Sequence, residues 1–535
     1  MQIDTFQEMK QAKAPNPLER LIGALQNSGV YPHPVGRIEV LETHISFVLL
    51  TGDYAYKIKK PLDLGFVDCT RLEQRRFYSQ EELRLNRRLA ADLYLDVVAV
   101  SGSPEHPEFN GLGPAIEYAV KMRQFPQDAL LDRVLARGAL KAEHIDALAK
   151  KIAAFHAAVS AAAETGVHGA LKNIYSPALQ NFEQIRALLH DKTEIEPLEA
   201  LQVWTEREYA KRKPVFAARR ASGCTRECHG DMHLGNMAML GNDVLIFDAI
   251  DFNETLRWID VMSEAAFLVM DLTARNRSDL ASRFLNAYLE ITGDYGGLDI
   301  LRFYLVYRAL VRAKIHRIRA HQAGLDSRER DRLLGRYHEY IRLAERFSLT
   351  RQPSLLITHG LSGSGKTTFS QDLLEATGAV RVRSDLARKR VFNLPPEAKS
   401  GSGIGAGLYS QNADDMTYAR LAEIAETGMR AGYPVIVDAT FLKRAQRVMC
   451  RERAQRLQAP FAILDFKADE ATLRERIARR EQQGPNASEA NLAVLEHQLA
   501  NQQPLAQEEL PHVIAADDAS GARLVTTQLE KMVGT

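Results

Sequence analysis

The sequence contains the stretch Gly360-Leu-Ser-Gly-Ser-Gly-Lys366-Thr367, and this stretch restricts the fold more than any other. The segment before it, Ser354-Leu-Leu-Ile-Thr358, is an apolar run of strand length. The segment after it, Thr368-Phe-Ser-Gln-Asp-Leu-Leu-Glu375, has apolar residues at helical spacing. The order therefore predicts a strand, a glycine-rich turn and a helix.

A glycine-rich turn in this setting is suited to hold phosphate. Its glycines let backbone N–H groups close around phosphate oxygens, and the helix N-terminus adds positive potential. The pattern is that of a P-loop, in which Lys366 reaches the β- and γ-phosphates of ATP and Thr367 holds Mg²⁺. The alternative is a glycine-rich turn with an incidental lysine. The residues expected to contact ATP are Gly360, Ser362, Gly363, Ser364, Gly365, Lys366, Thr367 and Thr368.

Length and composition limit the remaining classes of protein. With 535 residues, 45% hydrophobic and 26% charged, the chain is expected to form about two to four globular domains. A net charge of +1 gives no global argument for nucleic acid or an anionic membrane, although a local basic groove stays open. No apolar run is long enough to span a membrane, and the first residues are polar rather than signal-like. Cys224 and Cys228 are the only close cysteine pair, so we expect four reduced thiols and a cytoplasmic protein.

Secondary-structure patterns change twice along the chain. Strand-like segments at 45–50 and 54–59 belong to a small lobe of about 30–120, and helical spacing dominates a large lobe of about 121–347. We predict that residues 1–347 form one domain, 348–353 a linker and 354–535 a second domain. Strands and helices alternate in the second domain, which indicates a parallel sheet covered on both faces. Its predicted strands are 354–358, 379–383, 434–438, 460–466 and 512–515.

A second motif, His229-Gly-Asp231-Met-His233-Leu-Gly-Asn236, lies in the first domain. The next segment, Val244-Leu-Ile-Phe-Asp248, is a short apolar strand that ends in an acid twelve residues after Asn236. Phosphoryl transfer uses an Asp to accept the proton of the substrate hydroxyl, then an Asn and an Asp to hold Mg²⁺. Asp231, Asn236 and Asp248 match these parts. Upstream, Lys57 lies in a predicted strand and Glu82 in a predicted helix, where the two can form an ion pair.

With these residues, the segment of about 30–345 resembles the aminoglycoside phosphotransferase family, a branch of the protein-kinase-like α+β fold. The resemblance implies Asp231 as catalytic base, Asn236 and Asp248 as metal ligands and Lys57 on the α- and β-phosphates of ATP. It also implies that Glu117 to Met122 form the hinge beside adenine. The chain departs from the kinase pattern because it has no G-x-G-x-x-G in its first strands.

Alternatives remain open within this first domain. Lys59 and Lys60 compete with Lys57 for the phosphate contact, and Lys59 shares its face of the strand. The motif residues can also be read as caps of helices and turns. A domain that binds nucleotide without catalysing transfer is a further alternative.

The second domain carries its own candidate groups. Asp385 follows a predicted strand and is read as a catalytic base, with Arg388 one turn later as a substrate-binding residue. Asp438 ends an apolar strand and is read as a metal ligand. Arg476 and Arg480 share one helix face and are expected to reach the transferring phosphoryl group when a lid closes. Purely structural roles are the alternatives to these assignments. They are an N-cap for Asp385, a strand-end turn for Asp438 and a solvated helix face for the arginines.

The D-x-x-R and V-I-V-D-A-T segments resemble P-loop kinases such as polynucleotide 5′-kinases, gluconate kinases and zeta-type toxins. The fused layout resembles bacterial bifunctional aminoglycoside phosphotransferase/ATP-binding proteins, with an α/β P-loop NTPase fold in the second domain. The glycine-rich segment 400–407 is read as a mobile substrate-side loop or a plain linker.

These observations predict a phosphotransferase with two ATP·Mg²⁺ sites and unidentified hydroxyl-bearing substrates. One alternative is that the P-loop half is an ATP-binding switch for the first domain. Another is a polynucleotide 5′-hydroxyl kinase, for which arginines are present but aromatic recognition motifs are not. Neither the acceptors nor the oligomeric state follows from the sequence.

Overall fold

A computed structural model describes residues 16–43, 45–63, 68–163, 166–241, 243–322, 324–350, 352–395, 398, 410–482, 491–516 and 525–527, with the backbone alone for 480–482. The predicted loop at 400–407 lies outside these residues.

In the described part of the chain, the strands form two larger sheets and two short antiparallel pairs. They are β1 (Glu39–Glu42), β2 (Ser46–Leu50), β3 (Tyr54–Lys59), β4 (Tyr94–Gly102), β5 (Pro107–Phe109), β6 (Glu117–Arg123), β7 (Thr225–Glu227), β8 (Met237–Leu240), β9 (Asp243–Ile246), β10 (Trp258–Asp260), β11 (Leu355–His359), β12 (Val380–Arg383), β13 (Val435–Asp438), β14 (Phe461–Asp465) and β15 (Val513–Ala515).

The helices are concentrated in the middle of the chain and between the last five strands. They are α1 (Pro17–Ala24), α2 (Leu72–Ala90), α3 (Leu131–Ala136), α4 (Ala142–Ala158), α5 (Leu171–Arg186), α6 (Lys192–Ala221), α7 (Glu254–Arg257), α8 (Val261–Ala274), α9 (Ser278–Thr292), α10 (Leu298–Ala320), α11 (Ser327–Ser348), α12 (Lys366–Thr377), α13 (Ser384–Val391), α14 (Gln411–Arg430), α15 (Arg444–Arg456), α16 (Glu470–Gln482) and α17 (Leu492–Asn501).

The chain divides into two compact units. The first comprises Met1–Ala139 and His229–Arg257, and the second comprises Leu140–Cys228 and Trp258–Thr535. The second unit therefore contains both the helical middle of the chain and the P-loop segment. The predicted linker at 348–353 stays a prediction.

The first unit is built on a six-stranded antiparallel sheet with the order β1-β2-β3-β6-β4-β5. The alternation of side-chain directions along β3 explains why its two lysines, Lys57 and Lys59, lie on one face of the sheet. Tyr56 and Ile58 pack with α1 on one face, and Ala55 packs with the end of α2 on the other. Because side chains alternate along a strand, Lys57 and Lys59 lie on the same face as Ala55.

The segment Glu117–Met122 differs from the expectation of a hinge. It lies within β6, in the interior of the sheet between β3 and β4. The adjacent Ala119 and Val120 lie on opposite faces of the sheet and are both buried, as expected for a central strand. A connection beside adenine would begin at the end of this strand, after Arg123.

The helical part of the second unit surrounds the almost fully buried α8. This helix begins at Asp260, whose carboxylate accepts the N–H of Met262 and receives two hydrogen bonds from Arg219 at 2.8 Å each. Around α8, helix α10 packs along α11, and α4 packs on α9. Among the described residues, no helix combines the length and apolar character needed to cross a membrane.

The P-loop segment of the second unit forms a parallel five-stranded sheet with the order β12-β13-β11-β14-β15. Its central strand β11 is buried over four of five residues, as expected when helices cover both faces. Helix α12 follows directly and ends at Gly378, whose φ of 73° is the left-handed conformation that closes helices. The predicted α/β fold and parallel sheet are confirmed.

Candidate active sites

A hairpin brings the two halves of the His229–Asp248 motif together. Strand β8 begins at Met237 and pairs antiparallel with β9, so that Met237 lies opposite Ile246. Asn236 immediately precedes β8 and Asp248 closely follows β9, which places both at the same end of the hairpin. The N–H of Phe247 donates to the carbonyl of Asn236 at 3.0 Å and closes this end.

Asp231 is held by the loop that carries it. The amide nitrogen of Asn236 donates to Asp231 Oδ2 at 3.0 Å, which directs the amide oxygen of Asn236 elsewhere. His229 bridges the motif, because its Nε2 donates to the carbonyl of Phe247 at 2.9 Å and its Nδ1 accepts the N–H of Asp231 at 3.3 Å. Asp231 retains a side-chain exposure of 33%, so its carboxylate is accessible to a substrate.

The backbone at Asp248 adopts an uncommon conformation. Its φ of 65° is left-handed, which is rare outside glycine and concentrates at functional sites. Its N–H donates to the hydroxyl oxygen of Tyr94 at 3.3 Å, and the next N–H, of Ala249, donates to the Asn86 side chain at 2.9 Å. Two side chains from the sheet and α2 thus hold the segment that presents the Asp248 carboxylate.

Lys57 and Lys59 have different partners, which bears on the choice between them. Lys57 Nζ lies 2.7 Å from Glu82 Oε1 and 2.6 Å from Asp248 Oδ1. Lys59 Nζ lies 2.8 Å from Glu82 Oε2 and also donates to the buried Asp251. Only Lys57 of these two contacts a proposed metal ligand, so the geometry favours Lys57 for the phosphate contact.

Charge coupling in this cluster shifts three pKa values. Burial opposes ionisation of Glu82, but Lys57 and Lys59 outweigh it and lower the pKa of Glu82 to about 2. Burial lowers the pKa of Lys57, but Asp248 and then Glu82 outweigh this effect and raise it well above the ordinary value. Burial raises the pKa of Asp251 to about 6, with Lys59 opposing the shift. The cluster therefore holds Lys57 charged beside an ionised Glu82.

The P-loop glycines occupy conformations that suit glycine. Gly360, Gly363 and Gly365 have φ angles of 144°, 89° and 92°. A Cβ on Gly360 would approach the carbonyl oxygen of Phe466 to 2.6 Å, a distance that other residues cannot tolerate. The turn can therefore bring its backbone N–H groups close to phosphate only because glycine stands at these positions.

The other P-loop groups converge on the start of α12. Lys366 Nζ donates to the carbonyl of Leu361 at 2.6 Å, so its ammonium group lies inside the turn. Thr367 is exposed beside it, as is Thr368. Ser370 links the start of α12 to β13, because its Oγ lies 3.0 Å from the carbonyl oxygen of Thr367 and 3.5 Å from Asp438 Oδ2.

Asp385 follows β12 and Asp438 ends β13, so both lie at the carboxyl ends of neighbouring parallel strands, the position where open α/β sheets generally bind ligands. Asp385 is not the N-cap of α13; it lies inside the helix and accepts the Leu386 N–H at 2.9 Å. Its other oxygen receives Arg383 Nη2 at 2.7 Å. Burial opposes the charge of Arg383, but Asp385 and then Glu290 and Asp438 raise the Arg383 pKa above its ordinary value.

The three arginines predicted for the P-loop site differ in their surroundings. Arg388 donates to Asp414 at 2.7 Å, so a substrate phosphate would compete with this carboxylate. Arg476 is half-buried in α16. The side chain of Arg480 lies outside the described residues.

Sequence reasoning missed several residues that shape these sites. Asp251, Arg381 and Glu290 are buried charged side chains. Asp251 contacts Lys59, Arg381 donates to the carbonyl of Thr367, and Glu290 accepts from Arg381. The acid at position 251 repeats the 248 acid at a three-residue interval, which was an available signal. Glu290 lies in a helix far away in the sequence, and no local pattern marks it.

Candidate metal ligands fit oxygen-preferring cations. The Asn236 amide oxygen, the Asp248 carboxylate, the Thr367 hydroxyl and the Asp438 carboxylate are the kinds of ligand that Mg²⁺ takes in proteins. A different group in the described part of the chain, His156, Cys228 and Glu264, has potential ligand atoms within 4.8 Å of one another. Both ring nitrogens of His156 are already bonded, to Tyr288 at 2.9 Å and Glu264 at 3.0 Å, so hydrogen bonds account for that group.

Family models match both parts of the chain. Residues 77–304 match the phosphotransferase enzyme family, and residues 355–505 match an AAA domain. The chain joins a phosphotransferase-family domain to a P-loop kinase-like domain. The predictions of the two domain types, of the fold class and of a kinase-type enzyme are confirmed at this level.

The chain is also similar to known proteins and to solved structures. Proteins of Mycobacterium tuberculosis and Mycobacterium bovis, Rv2004c and Mb2027c, are each 27% identical over 438 residues, covering 81% of this chain and 85% of theirs. A choline/ethanolamine kinase family protein from Mesorhizobium loti is 13% identical with a TM-score of 0.37, covering 58% of this chain and 90% of its own. A gluconokinase from Sinorhizobium meliloti is 21% identical with a TM-score of 0.24, covering 34% and 93%.

Proposed function

We propose that the chain catalyses phosphoryl transfer from ATP at two separate sites. At the first, Asp231 accepts the proton of a small-molecule hydroxyl, and that oxygen attacks the γ-phosphorus of ATP while the bond to the β,γ-bridging oxygen breaks and ADP leaves. Lys57, oriented by Glu82, contacts the α- and β-phosphates. Asn236 and Asp248 hold Mg²⁺, which neutralises charge on the phosphate oxygens when bound.

One observation carries this proposal. Lys57 contacts Glu82 and Asp248 at once, so the phosphate-binding cation, its orienting acid and a proposed metal ligand meet at one point. Positioning and electrostatic stabilisation supply most of the rate enhancement in phosphoryl transfer. The ion pairs and the constrained Asp248 backbone support the view that this geometry is preorganised.

The second site is proposed at the P-loop. The Gly360–Gly365 backbone and Lys366 bind the phosphates of ATP, with Arg476 and Arg480 reaching the transferring group. Thr367 and Asp438 hold Mg²⁺. Asp385 accepts the acceptor's proton, and Arg388 binds a substrate phosphate after leaving Asp414. The proposed domain boundary at 348–353 separates this site from the first.

Single-site variants of the full-length chain test the proposal. Wild type, Asp231→Asn and Lys366→Ala are each incubated with γ-labelled ATP, Mg²⁺ and a metabolite extract, and the labelled products are identified. We expect each variant to lose a different set of products, with losses of about 10²-fold or more for the catalytic base. Unchanged products in both variants would contradict the proposal.

Other outcomes separate the competing functions. Loss of all products in Lys366→Ala, with the protein still folded, would favour an ATP-dependent switch in the P-loop half. Label on a 5′-hydroxyl oligonucleotide, lost in Lys366→Ala, would favour a polynucleotide kinase, and label on metabolites alone would reject it.

A further inference from the structure

Helix α9 covers the edge strand of the P-loop sheet. Strand β12 pairs with β13 along one edge. Along its other edge, the backbone of β12 forms hydrogen bonds with side chains of the helical part. Asn286 makes two of these contacts: its Nδ2 donates to the carbonyl of Ala379 at 3.0 Å, and its Oδ1 accepts the N–H of Arg381 at 2.6 Å. Tyr295 adds a third, to the carbonyl of Arg381 at 3.2 Å.

In the last turn of α9, Glu290 faces two arginines of β12. Its Oε1 accepts Arg381 Nε at 2.8 Å, and its Oε2 lies 3.7 Å from Arg383 Nη1. The backbone carbonyl of Glu290 also accepts a hydrogen bond from Arg390 of α13. Side-chain exposures are 11% for Glu290, 5% for Arg381 and 16% for Arg383. The carboxylate therefore compensates cations that are largely removed from water.

Each of these two arginines also donates hydrogen bonds to a residue of the proposed P-loop site. Arg381 Nη1 donates to the carbonyl of Thr367 and to Ser370 Oγ, both at 3.3 Å. Arg383 Nη2 donates to Asp385 Oδ2 at 2.7 Å. One carboxylate on α9 is thus two contacts away from both the proposed Mg²⁺ ligand and the proposed base.

We propose that Glu290 is a positioning residue of the P-loop site, an inference that rests on the function proposed for that site. It shares Arg383 with Asp385 and fixes Arg381 against the first turn of α12. Without its charge, Arg383 would pair with Asp385 alone and hold that carboxylate away from the acceptor, and Arg381 would lose its anchor. A residue of the phosphotransferase-family segment then serves the catalysis of the P-loop segment.

The test uses the full-length chain in an Asp231→Asn background, which silences the first site. ADP formation from ATP in the presence of Mg²⁺, with water as the phosphoryl acceptor, is measured for Glu290→Gln, Glu290→Asp and Glu375→Gln. Glu375 is the matched control because it accepts Arg283 of α9 at 2.7 Å, in the same contact region, and Arg283 leads to Asp146 rather than to the P-loop.

We expect Glu290→Gln to lower kcat by about 10- to 100-fold with KM for ATP within about twofold, because misplaced groups affect the chemical step. Glu375→Gln is expected to retain the kcat of the background protein. Glu290→Asp keeps the charge but withdraws it by one methylene, so its kcat should lie between those of Glu290→Gln and the control. If Glu290→Gln does not fold, a kcat of Glu290→Asp below that of the control, at equal KM, carries the test.

Two results would overturn the inference. Equal kcat values for the Glu290 variants and the Glu375 control reject a positioning role, even if thermal stability differs. A loss in Glu290→Gln that appears only in KM also rejects it. Lys366→Ala in the same background separates the two levels: if it leaves ADP formation unchanged, the proposed function of the P-loop site itself fails.

Discussion

Lys57 Nζ lies 2.6 Å from Asp248 Oδ1, although 191 residues separate the two in the sequence. Lys57 also contacts Glu82, which in turn is shared with Lys59. The neighbouring lysines of β3 thus take part in one charge cluster but have different second partners. This difference separates a residue that can contact ATP from one that holds the cluster together.

Replacement of the two lysines should have opposite consequences. Lys57→Ala is expected to lower kcat/KM at the first site by about 10²- to 10³-fold, since it removes a preorganised cation at the phosphates. Lys59→Ala should instead destabilise the fold by about 3–5 kcal/mol, because it leaves Asp251 buried without its partner. Steady-state kinetics and urea unfolding measure the two effects. The assignment is wrong if Lys59→Ala, still folded, loses activity while Lys57→Ala keeps it.

The lowered pKa of Glu82 predicts that the free energy of unfolding decreases at acidic pH. The pKa of Glu82 is about 2 in the folded protein, below the ordinary value of 4.5 that applies to the unfolded chain. Between these pH values the folded protein therefore binds fewer protons than the unfolded chain. The stabilisation is complete above pH 4.5 and is lost as the pH falls from there toward 2. Urea unfolding between these pH values should show a shallower decline for Glu82→Gln. Glu73→Gln, exposed on the same helix, is the control, and an equal decline in all three proteins contradicts the prediction.

Asp251 predicts the opposite sign. Its pKa of about 6 exceeds the ordinary 3.8, so the folded state binds more protons and stability falls as the pH rises between these values. Asp251→Asn should remove this fall in the free energy of unfolding. A variant with the wild-type slope in that range would show that Asp251 does not titrate as its burial implies.

Adjacent glutamates offer a matched comparison of buried and exposed ion pairs. Arg447 and Glu509 make two hydrogen bonds at 2.8 Å with side-chain exposures of 0% and 3%, whereas Arg444 and Glu508 pair at the surface. Glu509→Gln should cost about 3–5 kcal/mol, since it leaves a buried guanidinium uncompensated. Glu508→Gln should not lower Tm measurably. Thermal unfolding of both variants checks this, and equal Tm values would count against it.

Gly230 predicts a conformational requirement in the Asp231 loop. Its φ is 90°, and a Cβ there would approach the carbonyl oxygen of Leu256 to 2.8 Å. Gly230→Ala should shift Asp231 and lower kcat at the first site by about 10²-fold. Gly241→Ala is the control, because Gly241 also has a positive φ, 62°, but nothing within 4 Å. Equal kcat values for the two variants would exclude a loop effect.

Local patterns in the sequence predicted much of the fold. The strand expected at 354–358 is observed at Leu355–His359, and the one expected at 54–59 is observed with those bounds. Both segments combine apolar character with clear flanking turns. The motif also assigned Asn236 and Asp248 to one metal site, which stays a prediction; the structure places both residues at one end of the β8–β9 hairpin.

Other features depend on contacts that no local pattern encodes. The choice between Lys57 and Lys59 stayed open because both lie on the same face of β3, and only their distant partners distinguish them. The pairing of Arg388 with Asp414 was missed because it joins separate helices. The hinge was placed wrongly at Glu117–Met122, since these residues form β6, a central strand that pairs along both edges.

The cover that Asn286 provides for β12 has a consequence for how the protein can be divided. A fragment that began near residue 352 would present a bare strand edge, which is a template for association with other copies. It would also carry Arg381 without Glu290, and Arg383 with Asp385 alone. Cleavage between the two segments is therefore expected to yield an aggregation-prone product. Mutations in α9 should, for the same reason, alter the stability of the P-loop sheet.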